Sequence, residues 1–213
     1  MLETFGGSRK SAPEIAERPR RRRRQRMLSV IIATFDSERA LVPTLAALVP
    51  GATAGLVSEV LIADGGSRDD TAVVADVAGC NFMLVGGLLG GRLKAAAAAA
   101  RAPWLLFLRP GTILDTPWTG EASSFLERAA GEPRAAVFRR TAPAQSGVRE
   151  ALLLFAAALG GRPRPEQGLI ISKQFYEQIG GHSDQAANPE AELLRRLGRR
   201  QLVTLSTRAF HAG

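Results

Sequence analysis

Residues 28–70 read LSVIIATFDSERALVPTLAALVPGATAGLVSEVLIADGGSRDD. Leu28 to Ala33 is an apolar run, broken only by Ser29, that stops at Thr34-Phe35-Asp36, and Val60 to Ala63 is a second that stops at Asp64-Gly65-Gly66-Ser67. Short runs rich in Val and Ile, joined by a helical stretch, are the pattern of parallel strands covered on both faces, a βαβ unit in an α/β fold. Ligands of such sheets lie outside the carboxyl ends of the strands, which is where Thr34, Asp36, Asp64 and Gly65 fall. Carboxylates there suit groups that donate hydrogen bonds, such as the imide of a uracil and ribose hydroxyls, better than bare phosphate.

Outward from this stretch the punctuation is regular. Pro43 is tolerated best in a first helical turn, so the first helix is expected to start late and to close at Pro50-Gly51. Ser67 to Asp70 reads as a capping box for a helix over Asp70 to Ala78. Phe82 to Val85 is a third strand, and Trp104 to Leu108 a fourth, apolar throughout. Between them Gly86 to Gly91 does not fit the dinucleotide fingerprint, and Arg92 opens an Ala-rich helix. Ala151 to Leu159 reads as a core helix. Gly168 to Ile171 is a strand, followed by Ser172 as N-cap of a short helix that buries Phe175 and Ile179.

Composition is that of an ordinary globular chain: 213 residues, 46% hydrophobic and 23% charged. With one cysteine, Cys80, and two histidines, there is neither an internal disulfide nor a zinc-ligand spacing. There is no G-x-S-x-G elbow and no phosphate-binding P-loop, so a hydrolase triad and a P-loop NTPase have no support. Residues 1–26 hold nine Arg or Lys against three Glu, a net of +6 out of the chain's +8. Three readings of this stretch stay open: a disordered tail that contacts anionic lipid or nucleic acid, a tail that binds nothing in particular, or an untranslated extension ahead of Met27. No signal peptide or spanning segment is expected, so the chain is read as cytoplasmic, with peripheral contact at the inner face of a membrane through the tail as the one membrane option. Without aromatic and basic residues interleaved beyond the tail, no specific nucleic-acid partner is expected. Residues 27–213 are read as one domain, with a nucleotide-binding half at 27–115 and an acceptor half at 116–213.

SVIIATFDSERAL, EVLIADGGSRDDTAVVAD, Gly91-Arg92, WLLFLRPGT at 104–112, RPEQGLIISKQFYEQIGG at 164–181 and PEAELLRRLGRR at 189–200 together resemble family 2 glycosyltransferases. The likeness is to the radical-SAM/selenodomain-associated group, and it runs through nearly everything after Met27. It implies a GT-A fold, that of nucleotide-diphospho-sugar transferases, with a mainly parallel sheet and helices on both faces. It further implies transfer of a sugar, with inversion, from a nucleotide-sugar donor such as a UDP-sugar to a glycan or lipid acceptor. Arg92 then lies beside the nucleotide, and Glu166 and Gln167 match an acid and a glutamine on the acceptor side.

The resemblance also marks a departure. Its fourth strand ends in an acidic motif that binds a divalent Mn or Mg ion, whereas here the positions are Arg109-Pro110-Gly111-Thr112. Three outcomes are open: Arg109 replaces the cation by gripping phosphate in a bidentate fork, Asp115 supplies the carboxylate, or the site binds nucleotide as a catalytically inactive homologue. Glu190 matches the family's general base, with Glu192 two residues on; both also suit the first turn of a helix.

Overall fold

The computed structural model describes residues 27–140 and 163–211. The basic stretch 1–26 and the apolar stretch Ala151 to Leu159 lie outside the described residues.

The quoted stretch folds as β1 (Leu28–Thr34), α1 (Glu38–Thr53) and β2 (Val57–Asp64). After these come α2 (Thr71–Val77), β3 (Asn81–Leu84), α3 (Leu89–Ala99), β4 (Trp104–Leu108), β5 (Thr112–Leu114), α4 (Trp118–Arg128) and β6 (Ala135–Arg140). The remaining elements are a 3₁₀ turn (Pro165–Gln167), β7 (Leu169–Ser172), α5 (Lys173–Gln178), α6 (Pro189–Gln201) and β8 (Leu202–His211). Among the described residues they form one eight-stranded sheet in the order β3-β2-β1-β4-β7-β6-β8-β5. The run β3-β2-β1-β4 is parallel throughout. β7 is antiparallel to β4 and β6, β8 is parallel to β6, and β5 is antiparallel to β8. This is the mainly parallel, GT-A-like sheet that the strand patterns and the resemblance implied.

Alternate side chains of the central strands supply two cores. Val30 and Ile32 of β1, with Leu106 and Leu108 of β4, pack with α1 and α4 through Leu41, Leu48 and Trp118. Ile31, Leu105 and Phe107 point the other way, onto Leu93, Ala96 and Ala97 of α3 and Leu193 and Leu197 of α6. A strand buried on both faces has no polar face to alternate, which is why these strands read as nearly unbroken apolar runs; the one polar residue of β1 before Thr34, Ser29, is buried with its hydroxyl donating to Glu59 at 2.6 Å.

Helix α1 corrects the expectation drawn from its prolines. It starts at Glu38 and runs to Thr53 with Pro43 and Pro50 inside it. Each proline removes a helical hydrogen bond, but Leu41, Thr44, Leu48 and Gly51 form a buried stripe at spacings of three and four residues. Tertiary burial of that stripe outweighs the local penalty. Gly51 is where α1 comes closest to α4: a Cβ there would lie 2.6 Å from the Trp118 ring and 2.9 Å from Val57 Cγ2. The Trp118 indole N–H is fixed at 3.0 Å on the Ala47 carbonyl, so the ring cannot easily retreat.

Gly51→Ala is therefore expected to lower stability by about 1–3 kcal/mol through overpacking, although alanine is the better helix former by ~1 kcal/mol. Thermal denaturation followed by circular dichroism checks this; an unchanged or raised Tm would mean that Trp118 gives way.

Candidate functional site

β1, β2 and β4 end at one edge in register, with Thr34 beside Asp64 and Ile32 beside Leu108. The polar residues that follow these strands therefore meet. β7 runs the opposite way, so the turn that precedes it, Pro165–Gln167, reaches the same edge. Gly168, at φ 70°, fits tightly there: a Cβ would stand 2.7 Å from Leu108 Cδ2. α6 begins nearby because Gly90 of α3 allows the Ser183 carbonyl and Pro189 to approach, which no side chain would permit.

Asp64 is 1% exposed and its carboxylate shapes the turn. Oδ1 accepts the backbone N–H groups of Gly66 (2.8 Å) and Ser67 (2.7 Å), and Oδ2 accepts the hydroxyls of Thr34 (2.7 Å) and Ser67. Burial alone would raise its pKa, but these bonds from Ser67, Thr34 and Gly66 hold it below the usual carboxylate range. Asp36 is exposed and sits at φ 46°, a left-handed conformation that aspartate tolerates better than most residues. Its N–H is held by Ser67 Oγ at 2.8 Å, and its Oδ1 accepts the Arg68 N–H at 2.7 Å, so the two turns are laced together. Of the two aspartates, Asp36 is the one presented to solvent. The capping box expected around Asp70 does not form; Asp69 instead accepts the N–H of Glu38 at 2.9 Å and joins the starts of α1 and α2.

Gly65 lies directly under Arg92. A Cβ there would collide with Nη1 of that guanidinium and come within 3.3 Å of Phe35. Arg92 Nη1 donates to the Thr34 carbonyl at 2.7 Å, while its buried Nε has no partner. Among the described residues no carboxylate pairs with Arg92. Phe35, which the sequence reading did not single out, is 59% exposed beside it; its signal was an aromatic residue inside a polar post-strand turn.

Arg109 follows β4 and lies between two acids. Nε donates to Glu190 at 2.8 and 3.1 Å and Nη2 also donates to Glu190, while Nη1 donates to Glu166 Oε1 at 3.0 Å. Burial alone would lower the Arg109 pKa, but hydrogen bonding and charge from Glu190, with the charge of Glu166, hold it above its ordinary value. Gln167 is buried and braces the turn: its Oε1 accepts the Arg164 N–H and its Nε2 donates to the Phe138 carbonyl, both at 2.7 Å.

Two other candidates lie elsewhere. Glu192 pairs with Arg196 one turn on at 2.8 Å, and Arg196 also holds the carbonyls of Ile179 and Gly181, which makes Glu192 part of the packing of α5 against α6. Asp115 follows β5, on the far edge of the sheet. The Gly111 N–H bonds to Ala40 and Thr44, and Trp118 bonds to Ala47, so the chain leaves the site along α1 before Asp115 is reached. Its carboxylate accepts the neighbouring Thr116 N–H at 2.9 Å.

His182 was also missed. It is buried and lines a small crevice with Glu190, Phe107 and Leu194. The Tyr176 hydroxyl accepts the His182 main-chain N–H (3.1 Å) and lies 2.9 Å from Nδ1; we assign its proton to the bond to Nδ1 and the ring proton to Nε2. Burial, aided by the charge of Arg196, lowers the His182 pKa from 6.5 to about 3. Nothing in the local pattern of a Gly-His-Ser turn announces a tyrosine six residues earlier as its partner.

No protein-family model matches the chain, and no curated protein matches it in sequence. Solved structures do match in fold. One is glucosyl-3-phosphoglycerate synthase from Mycobacterium tuberculosis in complex with Mn²⁺, UDP and phosphoglyceric acid, with a TM-score of 0.63 and 20% identity over 88% of this chain and 71% of that one. The same enzyme with Mn²⁺, UDP and glucosyl-3-phosphoglycerate has a TM-score of 0.63 and 18% identity over 97% and 79%. A further match is a mycobacterial protein at TM-score 0.64 and 21% identity over 96% and 73%. At these identities the likeness is one of fold: the chain has the GT-A-like fold of nucleotide-sugar glycosyltransferases.

Two outcomes follow from the geometry. Asp64→Ala strands the Thr34, Gly66 and Ser67 donors and is expected to cost about 1–3 kcal/mol of stability, read as a lower urea midpoint; an unchanged midpoint would show that the turn holds without it. The folded His182 ring resists protonation down to about pH 3 whereas the unfolded one charges near 6.5. It therefore favours the fold above pH 6.5 and progressively less as pH falls toward 3. In a ¹⁵N NMR titration its Nε2–H tautomer should persist at pH 5, and an imidazolium signal there would refute the assignment.

Proposed function

We propose that the protein is a glycosyltransferase that draws its sugar from a nucleotide-diphosphate donor, a UDP-sugar, and transfers it with inversion. The observation that carries this reading is Arg92, a guanidinium with no described carboxylate partner, held over Gly65 at the carboxyl edge of β1 and β2. Unpaired cationic donors at such an edge suit phosphate oxygens. Phe35 beside it offers a face on which a base can stack, and Asp36 an acceptor for ribose or imide donors. The solved relatives are described with UDP and UDP-glucose, which supports uridine as the nucleotide. Their phosphoglyceric acid makes a small anionic acceptor worth testing beside glycans and lipids. The kinship with family 2 transferases, and with their radical-SAM/selenodomain-associated group, is carried by the sequence motifs quoted above.

In an inverting transfer the acceptor oxygen forms its bond to the anomeric carbon as the bond to the diphosphate breaks on the opposite face, and a carboxylate takes the acceptor's proton. We assign that role to Glu190, whose two oxygens both accept from Arg109. The three bonds from Arg109 leave one of the carboxylate's roughly four acceptor sites open for that proton, so the pair stays intact. Glu166 and Gln167 line the same edge on the acceptor side.

The relatives are described with Mn²⁺ or Mg²⁺. Here the described residues bring together no group of three or more His, Cys, Asp or Glu. Two carboxylates already closed on a guanidinium do not fit a divalent ion, and in this reading Arg109 supplies the positive charge.

Titration calorimetry with UDP tests the donor site. Arg92→Ala should weaken UDP by roughly tenfold to a hundredfold, the worth of a charged hydrogen bond, with little effect on uridine; no UDP binding by the wild-type protein would remove the proposal. Turnover across a panel of nucleotide sugars, with EDTA or with Mn²⁺, tests the chemistry. Activity that survives EDTA is expected, a strict Mn²⁺ requirement would displace Arg109 from its assigned role, and binding without any turnover would reduce the protein to a nucleotide binder.

A further inference from the structure

The two acids on Arg109 are not equivalent. Glu190 is 12% exposed and meets the guanidinium through both oxygens, whereas Glu166 is 35% exposed and makes a single 3.0 Å contact with Nη1. The backbone that carries Glu166 is fixed, because Gln167 is tied to Arg164 and Phe138, and Gly168 is wedged against Leu108. Only the Glu166 side chain is free to leave, and it needs no more than a rotamer change into solvent.

We propose that Glu166 is a placeholder anion: its carboxylate occupies, on Nη1 of Arg109, the position that a phosphate oxygen of the bound diphosphate takes, and the ligand enters by displacing it. This deepens the donor-site reading above and rests on it for the identity of the ligand. The charges explain the device. With both acids in place the triad carries a net charge of −1, which repels a diphosphate; with Glu166 turned away, Arg109 and Glu190 are neutral as a pair and Nη1 presents free donors. A phosphate brings more charge to those donors than a carboxylate, so it wins the exchange. A nucleoside without phosphate cannot make the exchange. Glu166 thus gives the site a preference for phosphorylated ligands beyond their simple attraction to Arg92.

The test uses inorganic pyrophosphate, UDP and uridine, titrated into the full chain and into Glu166→Gln, Arg109→Lys and the double variant Glu166→Gln/Arg109→Lys. Arg109→Lys keeps a cation against Glu190, so the fold does not depend on leaving a carboxylate unpaired; thermal melts confirm that each variant is folded. Glu166→Gln should bind pyrophosphate and UDP about two- to fivefold more tightly, the size of a half-exposed ion pair, with the gain shrinking as salt rises. Uridine affinity should not change, and the gain should disappear in the Arg109→Lys background, where Nη1 is gone. Unchanged or weaker pyrophosphate binding by Glu166→Gln, no pyrophosphate binding by any variant, or a gain that survives in the double variant would each overturn the proposal. Failure of the nucleotide reading looks different: the pyrophosphate gain appears, yet UDP binds no more tightly than pyrophosphate and uridine does not bind at all.

Discussion

A guanidinium at the buried end of a strand must find anions, and Arg109 finds them 57 and 81 residues away, in Glu166 and Glu190. That requirement ties together parts of the chain that share no local signal. The 3₁₀ turn reaches Arg109 because β7 is antiparallel to β4 and starts where β4 ends. α6 reaches it because Pro189 starts a helix at the right height, with Asn188 capping the Ala191 N–H at 3.0 Å and the glycine at position 90 clearing the approach. Removing the cation would leave Glu190, which is nearly buried, facing Glu166 with nothing between them. Breaking one side of such a pair costs more than the pair contributes, since a desolvated charge is left without a partner.

The donor edge works by the opposite arrangement. Asp64 is saturated, with four donors on two oxygens, and it makes the turn after β2 rigid. Rigidity there has a use: it fixes the Thr34 carbonyl, which accepts both the Gly65 N–H at 2.9 Å and the Arg92 guanidinium at 2.7 Å. Arg92 is thereby aimed without being neutralised. A carbonyl orients a cation through a dipole and leaves its full charge for a ligand, whereas a carboxylate in the same place would cancel it. One arginine is therefore held by a dipole, and the other by two acids.

Much of this fold was legible in the sequence, because strands buried on both faces are apolar almost throughout, and the runs at Leu28, Val60 and Trp104 fit that pattern, with Ser29 finding a buried partner in Glu59. The polar turns at their carboxyl ends mark the candidate site by the same logic. The individual roles were harder to read. Asp64 and Asp36 look alike in sequence, but only the structure distinguishes the one that closes its own turn from the one that faces solvent. Pro43 argued for a helix that starts late, and the buried stripe from Leu41 to Gly51 overrode it. The partners of Arg109 depend on how distant segments return to the sheet, and the Tyr176 partner of His182 on the turn in which the Gly181 N–H bonds to the Tyr176 carbonyl.

The two arginines also bear on how a diphosphate can be accommodated without a cage of acids. A divalent ion concentrates +2 at one point and tolerates several coordination geometries. Arg92 and Arg109 are two planar groups, each of which offers hydrogen bonds in a fixed direction, and the charge of Arg109 is offset by Glu190. Charge of that kind stabilises a leaving diphosphate only if both guanidinium planes already point at where its oxygens will be. In the proposed donor site the Thr34 carbonyl would orient Arg92 and the Glu190 fork Arg109. The cost of the arrangement is a narrower tolerance: a change of one methylene in Glu190, or a shift in the turn that Asp64 holds, moves a donor rather than merely a charge. Placement errors of that size are the ones to which preorganised sites are most sensitive.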